Sequence, residues 1–152
     1  MHANATNAYR TQQVKGAKPV EQVAMLYERA IAALHEAVTA IEANEIERRW
    51  RANKRAQDII FALYGALDTE RGGEIGQNLQ RLYVFLLRRL TQVDLRNDPE
   101  PAREAIQILE PLAQSWRRLA SENVEPDHGE DAQLASPAAA PNLQRTGVGI
   151  AS

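Results

Sequence analysis

The residues of this chain that could bind a metal are few. Glu125 and His128 have the Glu-x-x-His spacing with which helical bundles hold di-iron centres. They lie in an acidic stretch broken by prolines, whereas a di-iron centre needs ligands that project inward from facing helices. His35 stands between Leu34 and Glu36, a context that favours a surface position over a metal ligand. We therefore expect no metal site.

Motifs for covalent or cofactor chemistry are also lacking. The chain has no cysteine, which excludes thiol nucleophiles, thiolate zinc sites and disulfides. It contains neither a Gly-x-Ser-x-Gly motif nor a phosphate-binding P-loop. The segment GGEIG at 72–76 falls between two helical patterns, whereas a dinucleotide-binding turn must follow a strand. The sequence predicts a protein that is not an enzyme and that needs no cofactor.

A basic cluster around Trp50 is the strongest charged feature. Its cations are Arg48, Arg49, Arg51, Lys54 and Arg55. Cations beside an aromatic ring are typical of nucleic-acid-binding surfaces. A solvated helix face with the tryptophan turned inward gives the same pattern, and we favour that interpretation. A nucleic-acid-binding or regulatory helical bundle that uses residues 48–55 is the alternative function.

Charge and hydropathy are those of a soluble cytosolic protein of moderate size. The 152 residues carry a net charge of −2, with three cations and no acid in residues 1–18 and five acids against one arginine in residues 121–152. This charge distribution does not indicate binding to nucleic acid or to an anionic membrane. No apolar run approaches the roughly 20 residues of a membrane span, and the polar start lacks a signal-peptide core. We expect a cytoplasmic protein that does not insert into membranes.

Apolar residues at helical spacing predict four helices. The first begins at Pro19, the second runs from about Ile46 to Asp68, and the third runs from about Glu74 to Arg96. Asp98 is a good N-cap for the fourth, in which Pro111 predicts a bend near Gln107 unless packing tolerates the proline. Short links between the helices predict an all-α, antiparallel four-helix bundle.

The sequence divides into three regions. Residues 1–18 are polar and small and are predicted to form a flexible N-terminal arm, residues 19–120 form the bundle, and residues 121–152 form a disordered tail rich in alanine, proline and acids. Gly72 and Gly73 are predicted to supply the positive φ that ends one helix and reverses the chain into the next. Asn44 is predicted to separate the first two helices.

The third predicted helix has more apolar surface than one stripe requires. Beyond the residues that repeat at three- and four-residue steps, it carries Tyr83, Val84, Phe85 and Leu87. A helix that is apolar on all sides is normally buried on all sides. Either other helices of the bundle cover this surface, or a groove stays open for a partner helix.

An ordered set of motifs resembles a known family. The most specific is ERGGEIGQNLQRLYVFLLRRL at 70–90, with VKGAKP at 14–19, MLYERAI at 25–31, AQDIIFAL at 56–63 and LRND at 95–98. Tyr9 and Trp116 are further matches. Over about residues 9–119 the chain resembles the FliS-type flagellin export chaperones.

This resemblance implies a helical bundle without enzymatic activity that acts in the bacterial cytosol. Its partner would be the C-terminal segment of flagellin, which is disordered when free, would otherwise polymerise prematurely or be degraded, and becomes helical across the hydrophobic surface of the chaperone. The complex would then dock on the FlhA-type export gate protein. The N-terminal arm, here with Tyr9 and Val14, would cover the groove and take part in docking on the export gate.

The residues expected to line the flagellin-binding groove come from the first three predicted helices. They are Tyr27, Ile31, Ile60, Leu63, Leu79, Leu82, Tyr83 and Leu86. Helical periodicity indicates that these apolar residues lie on shared helix faces. It leaves open which of them face a ligand and which form the core. A dimer of the free form through the same groove is also left open.

Overall fold

The computed structural model describes Ala5, Asn7–Tyr9 and residues 19–122. The described chain forms four helices, and it contains no strand beyond one isolated bridge. These helices are α1 (Pro19–Glu42), α2 (Ile46–Gly65), α3 (Thr69–Arg96) and α4 (Glu100–Glu122). The predicted all-α, antiparallel four-helix bundle is confirmed. The predicted disordered tail falls, from residue 123 onward, outside the described residues.

Capping residues fix most of the helix ends where the sequence predicts them. Proline is suited to the first helical position, and α1 begins at Pro19. Asn44 has a φ of 59° and separates α1 from α2, and Asn97 has a φ of 51° and ends α3. The Asp98 Oδ1 atom accepts a hydrogen bond of 3.0 Å from the Glu100 N–H at the start of α4.

The turn between α2 and α3 differs from the prediction. The chain reverses at residues 66–68, because α2 already ends at Gly65 and the side chain of Asp68 caps α3 through the Arg71 N–H, at 3.1 Å. The reversal therefore precedes Gly72–Gly73, where it was predicted, and Gly72 has no positive φ. The predicted positive φ is confirmed at Gly73, 58°, where a kink separates the first turn of α3 from the helix that continues to Arg96.

The four helices form a closed ring around one core, in which α1 packs against α2 and α4, and α3 packs against α2 and α4. The largest fully buried side chains are Tyr27, Leu34, Ile60, Leu63, Tyr83, Leu86, Leu90, Val93 and Leu109. The fourth helix continues without a break through Pro111, which is exposed, between the buried residues Leu109 and Leu112. None of the helices in the described part has the length and apolar composition that crossing a membrane requires.

A buried polar network, the polar lock, joins α2 to the end of α3. The Arg49 side chain donates to Asp94 Oδ1 at 3.0 Å and to Asn97 Oδ1 at 2.7 Å. The Asn53 Nδ2 atom donates to the Leu90 carbonyl at 2.9 Å and to Asp94 Oδ2 at 3.0 Å. Because Arg49, Asn53 and Asp94 meet only when the two helices are in one register, the polar lock fixes how α2 and α3 align.

The arm segment, Ala5 and Asn7–Tyr9, is the described part of residues 1–18. Ala5, Ala8 and Tyr9 are buried against the bundle. The arm segment therefore contributes side chains to the same core that the four helices form.

Candidate partner-binding site

Four aromatic residues from four parts of the chain meet under the arm segment. Tyr9 comes from the arm segment, Tyr27 from α1, Tyr83 from α3 and Trp116 from α4, and all four are buried. The Tyr9 ring meets the Trp116 ring edge to face, with centroids 5.5 Å apart and planes at 74°. Tyr27 lies 6.3 Å from both Tyr83 and Trp116, measured between ring centroids. This aromatic cluster brings together three helices and the arm segment.

A chain of hydrogen bonds links the three phenols of the aromatic cluster. The Tyr83 hydroxyl bonds to the Tyr9 hydroxyl and also to the Tyr27 hydroxyl, the latter at 2.5 Å. Burial raises the pKa of Tyr9, Tyr27 and Tyr83 above the ordinary value of a phenol, so all three stay protonated near neutral pH. Neutral hydroxyls satisfy each other in an otherwise apolar site, and the cluster is suited to packing and recognition.

The arm segment also docks through its main chain. The Asp68 N–H donates to the Ala8 carbonyl at 2.7 Å, and Tyr9 forms an antiparallel bridge with Leu67. These contacts place the arm segment across the turn between α2 and α3, beside the aromatic cluster. The arm segment therefore closes this end of the bundle with both side-chain and main-chain contacts.

The structure places the eight residues predicted to bind flagellin at two levels of burial. Seven are buried in the core: Tyr27, Ile60, Leu63, Leu79, Leu82, Tyr83 and Leu86. Ile31 is half-buried and lines a cleft of about 620 Å³ between α1 and α4, where Arg117 pairs with Glu28 at 2.8 Å. Of the two arm residues predicted to cover the groove, Tyr9 lies over Tyr83 and Trp116, and Val14 falls outside the described residues.

The large apolar side chains that solvent reaches lie elsewhere, on the outer side of α2 and α3. These four residues, the α2–α3 stripe, are Ile46, Trp50, Phe61 and Leu95. Trp50 follows Ile46 by four residues, and Phe61 follows Trp50 by eleven. Both steps return a side chain to nearly the same face of a helix. Sequence reasoning missed the α2–α3 stripe, although this spacing within α2 was a signal that could have identified it.

The α2–α3 stripe extends along most of the helix pair. Phe61, of which 62% is exposed, stacks on Tyr64 with ring centroids 6.2 Å apart. Because Arg49 contacts Asp94, the start of α2 lies beside the end of α3, which places Ile46 and Leu95 at the same end of the bundle. Ile46, Trp50 and Leu95 therefore expose apolar surface toward one end of the helix pair, and Phe61 with Tyr64 exposes it toward the other.

The basic cluster does not form a free cationic surface. Each of its five cations lies within 4.0 Å of a carboxylate: Arg48 with Glu36 and Glu45, Arg49 with Asp94, Arg51 with Glu47, Lys54 with Asp58, and Arg55 with Glu36. The predicted inward turn of the tryptophan is wrong, because half of Trp50 is exposed and Arg49 is the buried residue. The pairing gives no support to the alternative nucleic-acid function.

Ionisable residues do not gather into a metal site in the part of the chain that the structure describes. The side chain of His35 is 60% exposed and lies 4.0 Å from Glu110, which confirms the predicted surface position. Glu125 and His128, the pair with the Glu-x-x-His spacing, fall outside the described residues.

Comparison with known proteins identifies the family. Residues 2–123 match the family described as "Flagellar protein FliS". The chain is 36% identical over 107 residues to the flagellar secretion chaperone FliS of Salmonella typhimurium strain LT2, which covers 70% of this chain and 79% of that protein. It is 32% identical over 115 residues to the flagellar secretion chaperone FliS of Campylobacter jejuni, which covers 76% of this chain and 90% of that protein. The chain belongs to the FliS family of flagellar secretion chaperones.

Proposed function

We propose that this protein binds the C-terminal segment of flagellin in the cytoplasm, prevents its premature polymerisation, and delivers it to the FlhA-type export gate. The activity is binding and protection, without catalysis. The proposal combines the family membership with the surface that the fold leaves open.

The observation that carries the proposal is the α2–α3 stripe. Four large apolar side chains, three on α2 and one on α3, are exposed to solvent on a bundle whose core is otherwise closed. A partner segment that forms an amphipathic helix would lay its apolar side along Ile46, Trp50 and Phe61. Ile46 and Phe61 are about 22 Å apart along α2, so a helical partner that contacts both would need about four turns.

A second part of the binding surface is covered by the arm segment. Tyr9 occupies the position above Tyr27 and Tyr83, two of the residues predicted to bind flagellin. The arm segment precedes the helices, so it can leave without breaking a helix–helix contact. Its departure would expose the aromatic cluster to the partner and free Tyr9 for docking on the export gate.

The energetics of such a complex are those of coupled folding and binding. A disordered segment that folds on a partner buries on the order of 1,000–3,000 Å², and this burial offsets several kcal/mol of ordering. Apolar burial gives a large negative heat-capacity change on binding and a mild dependence on salt, whereas binding of nucleic acid by the basic cluster would depend steeply on salt.

Isothermal titration calorimetry of the full-length chain with a synthetic flagellin C-terminal peptide tests the proposal. The matched variants are Phe61→Asp, which places a charge in the α2–α3 stripe, and Ala62→Asp, which places the same charge on the adjacent exposed residue of α2. We expect Phe61→Asp to weaken binding about tenfold or more and Ala62→Asp to change it less than threefold.

Two results would count against the proposal. Absence of peptide binding at micromolar concentration would contradict binding of flagellin. Equal effects of Phe61→Asp and Ala62→Asp, in variants with unchanged helix content, would remove the α2–α3 stripe from the binding surface.

A further inference from the structure

Gly72 lies unusually close to the arm segment. A Cβ atom built at Gly72 would stand 2.9 Å from the Cα and 3.3 Å from the Cβ of Ala8. Side-chain carbons do not approach main-chain carbons to that distance, so any other residue at position 72 would force the arm segment away from the turn. Ala8 is fully buried at this contact.

The backbone of Gly72 gives no other reason for a glycine. Among the described glycines, only Gly73 has a positive φ. Gly72 lies in the first turn of α3, where its N–H donates to the Asp68 carbonyl at 2.8 Å. In such a helical position alanine is ordinarily the better residue. The helical backbone does not require a glycine at position 72, and the close approach of Ala8 explains why one is present.

Two main-chain contacts surround this approach. The Asp68 N–H donates to the Ala8 carbonyl, and Leu67 pairs with Tyr9 in an antiparallel bridge. Leu67, Asp68 and Gly72, the arm seat, thus contact the main chain of the arm segment where its turn ends at Ala8 and Tyr9. The arm seat therefore restricts two side chains of the arm segment. The first must be small, because it lies against Gly72, and the second is an aromatic residue that reaches Tyr83.

We propose that the arm seat is a docking surface for a small–aromatic residue pair, occupied by Ala8 and Tyr9 of the same chain, and that Gly72 sets how tightly the arm segment is held. A methyl group at position 72 displaces Ala8 and lengthens the hydrogen bond from Asp68, which is 2.7 Å in the docked form. On the basis of the function proposed above, weaker holding of the arm segment makes the aromatic cluster more available to flagellin.

The Asp68 amide gives a direct readout of the arm seat, because its hydrogen-bond acceptor belongs to the arm segment. Amide hydrogen exchange, followed by NMR on the full-length chain, therefore reports docking without any partner. We expect Gly72→Ala to speed exchange at Asp68 about tenfold. The Ala66 N–H, which donates to the Ala62 carbonyl within the bundle, should keep its exchange rate.

The matched control is Gly65→Ala, because a Cβ at Gly65 has no atom within 4 Å. A second variant, Ala8→Leu, enlarges the other side of the same contact and leaves every helix residue unchanged. It keeps the test decisive if Gly72→Ala fails to fold. We expect Ala8→Leu to speed exchange at Asp68 and Gly65→Ala to leave it unchanged.

Unchanged exchange at Asp68 in Ala8→Leu, and in Gly72→Ala where that variant folds, would overturn the assignment of the arm seat. Faster exchange limited to Asp68 supports it. Titration of the same variants with the flagellin peptide separates the two proposals. Faster exchange with tighter binding supports both, whereas faster exchange with unchanged peptide affinity supports the arm seat and contradicts covering of the partner site by the arm segment.

Discussion

The two ends of the α2–α3 pair are held together in different ways. At one end the polar lock joins Arg49 and Asn53 of α2 to Asp94 of α3 by buried hydrogen bonds. At the other end the arm segment lies across the turn, and Tyr9 reaches α3 through the Tyr83 hydroxyl. The first end is held by side chains of the helices themselves. The second end is held by the arm segment, which precedes the helices in the chain.

With the arm segment displaced by flagellin, as proposed above, this difference separates a permanent joint from an exchangeable one. Loss of Asp94 leaves the buried Arg49 guanidinium without its carboxylate, so this joint must stay closed. Loss of the arm segment leaves an apolar and aromatic surface that another chain can cover. A binding protein needs both, since the bundle must keep its register while part of its surface changes occupant.

Breaking the permanent joint should have the largest effect. Asp94→Ala removes the acceptor that Arg49 and Asn53 share, and the Arg49 side chain is only 10% exposed. We expect the free energy of unfolding to fall by about 2–3 kcal/mol, because a buried guanidinium loses its carboxylate. Denaturant titration of the full-length chain measures the loss.

Asp58→Ala is the control for this prediction. Asp58 also pairs with a cation on α2, Lys54 at 3.3 Å, but both side chains are more than half exposed. Exposed pairs of this kind contribute about 0–1 kcal/mol. Similar losses in the two variants would show that the polar lock is no stronger than a surface ion pair.

Weakening the exchangeable joint should have an intermediate effect. Tyr83→Phe removes the hydroxyl that bonds to both Tyr9 and Tyr27, whereas Tyr27→Phe removes only one end of the chain of hydroxyls. We expect Tyr83→Phe to lower the free energy of unfolding by about 1–2 kcal/mol and Tyr27→Phe by about half as much. Thermal and denaturant unfolding of both variants provide the comparison. Equal losses would mean that the bond to Tyr9 adds nothing.

Ionisation of the phenols in the exchangeable joint should have the smallest effect on the free energy of unfolding near neutral pH. Burial raises the pKa of Tyr9 and Tyr83 above the value of about 10 that phenols have in the unfolded chain. Their contribution to stability is complete below pH 10 and is lost as the pH rises above it, when the unfolded phenols release protons that the folded ones keep.

We therefore expect no contribution of these phenols to the pH dependence between pH 7 and pH 9, and a decline of about 1.4 kcal/mol per pH unit for each buried phenol above pH 10. Measuring the free energy of unfolding against pH for the wild type and Tyr83→Phe isolates one phenol. The variant should decline less steeply above pH 10. Parallel curves would contradict the burial of a neutral Tyr83 hydroxyl.

Local signals predicted most of the fold. Pro19, Asn44 and Asp98 mark helix ends by their own conformational and capping preferences, and the structure places helix ends there. Family resemblance, more than periodicity, singled out Tyr9, and the structure brings it onto two residues predicted for the same site, Tyr27 and Tyr83. A pattern that depends on neighbouring residues is readable from the sequence alone.

Features that depend on tertiary contacts could not be predicted in the same way. Gly72 and Gly73 look alike in the sequence, yet Gly73 supplies a positive φ and Gly72 supplies room for Ala8. Arg49 and Trp50 are adjacent, and hydrophobicity alone predicts that the tryptophan is buried and the arginine exposed. The carboxylate of Asp94, 45 residues away, reverses that order by pairing with the arginine.

The same reason explains the partial prediction of the site. Helical periodicity shows that Ile60, Leu79 and Leu86 are apolar and share a face, but it does not show what covers them. In the structure they are core. The exposed apolar residues belong to the α2–α3 stripe, whose α2 members follow a different face of the helix from the core residues.

The docking of Ala8 through its carbonyl has a consequence for how this protein can diverge. A hydrogen bond from the Asp68 amide to a peptide oxygen is indifferent to the side chain that the peptide carries. Substitutions that keep a methyl-sized residue at position 8 and an aromatic ring at position 9 should therefore preserve this docking.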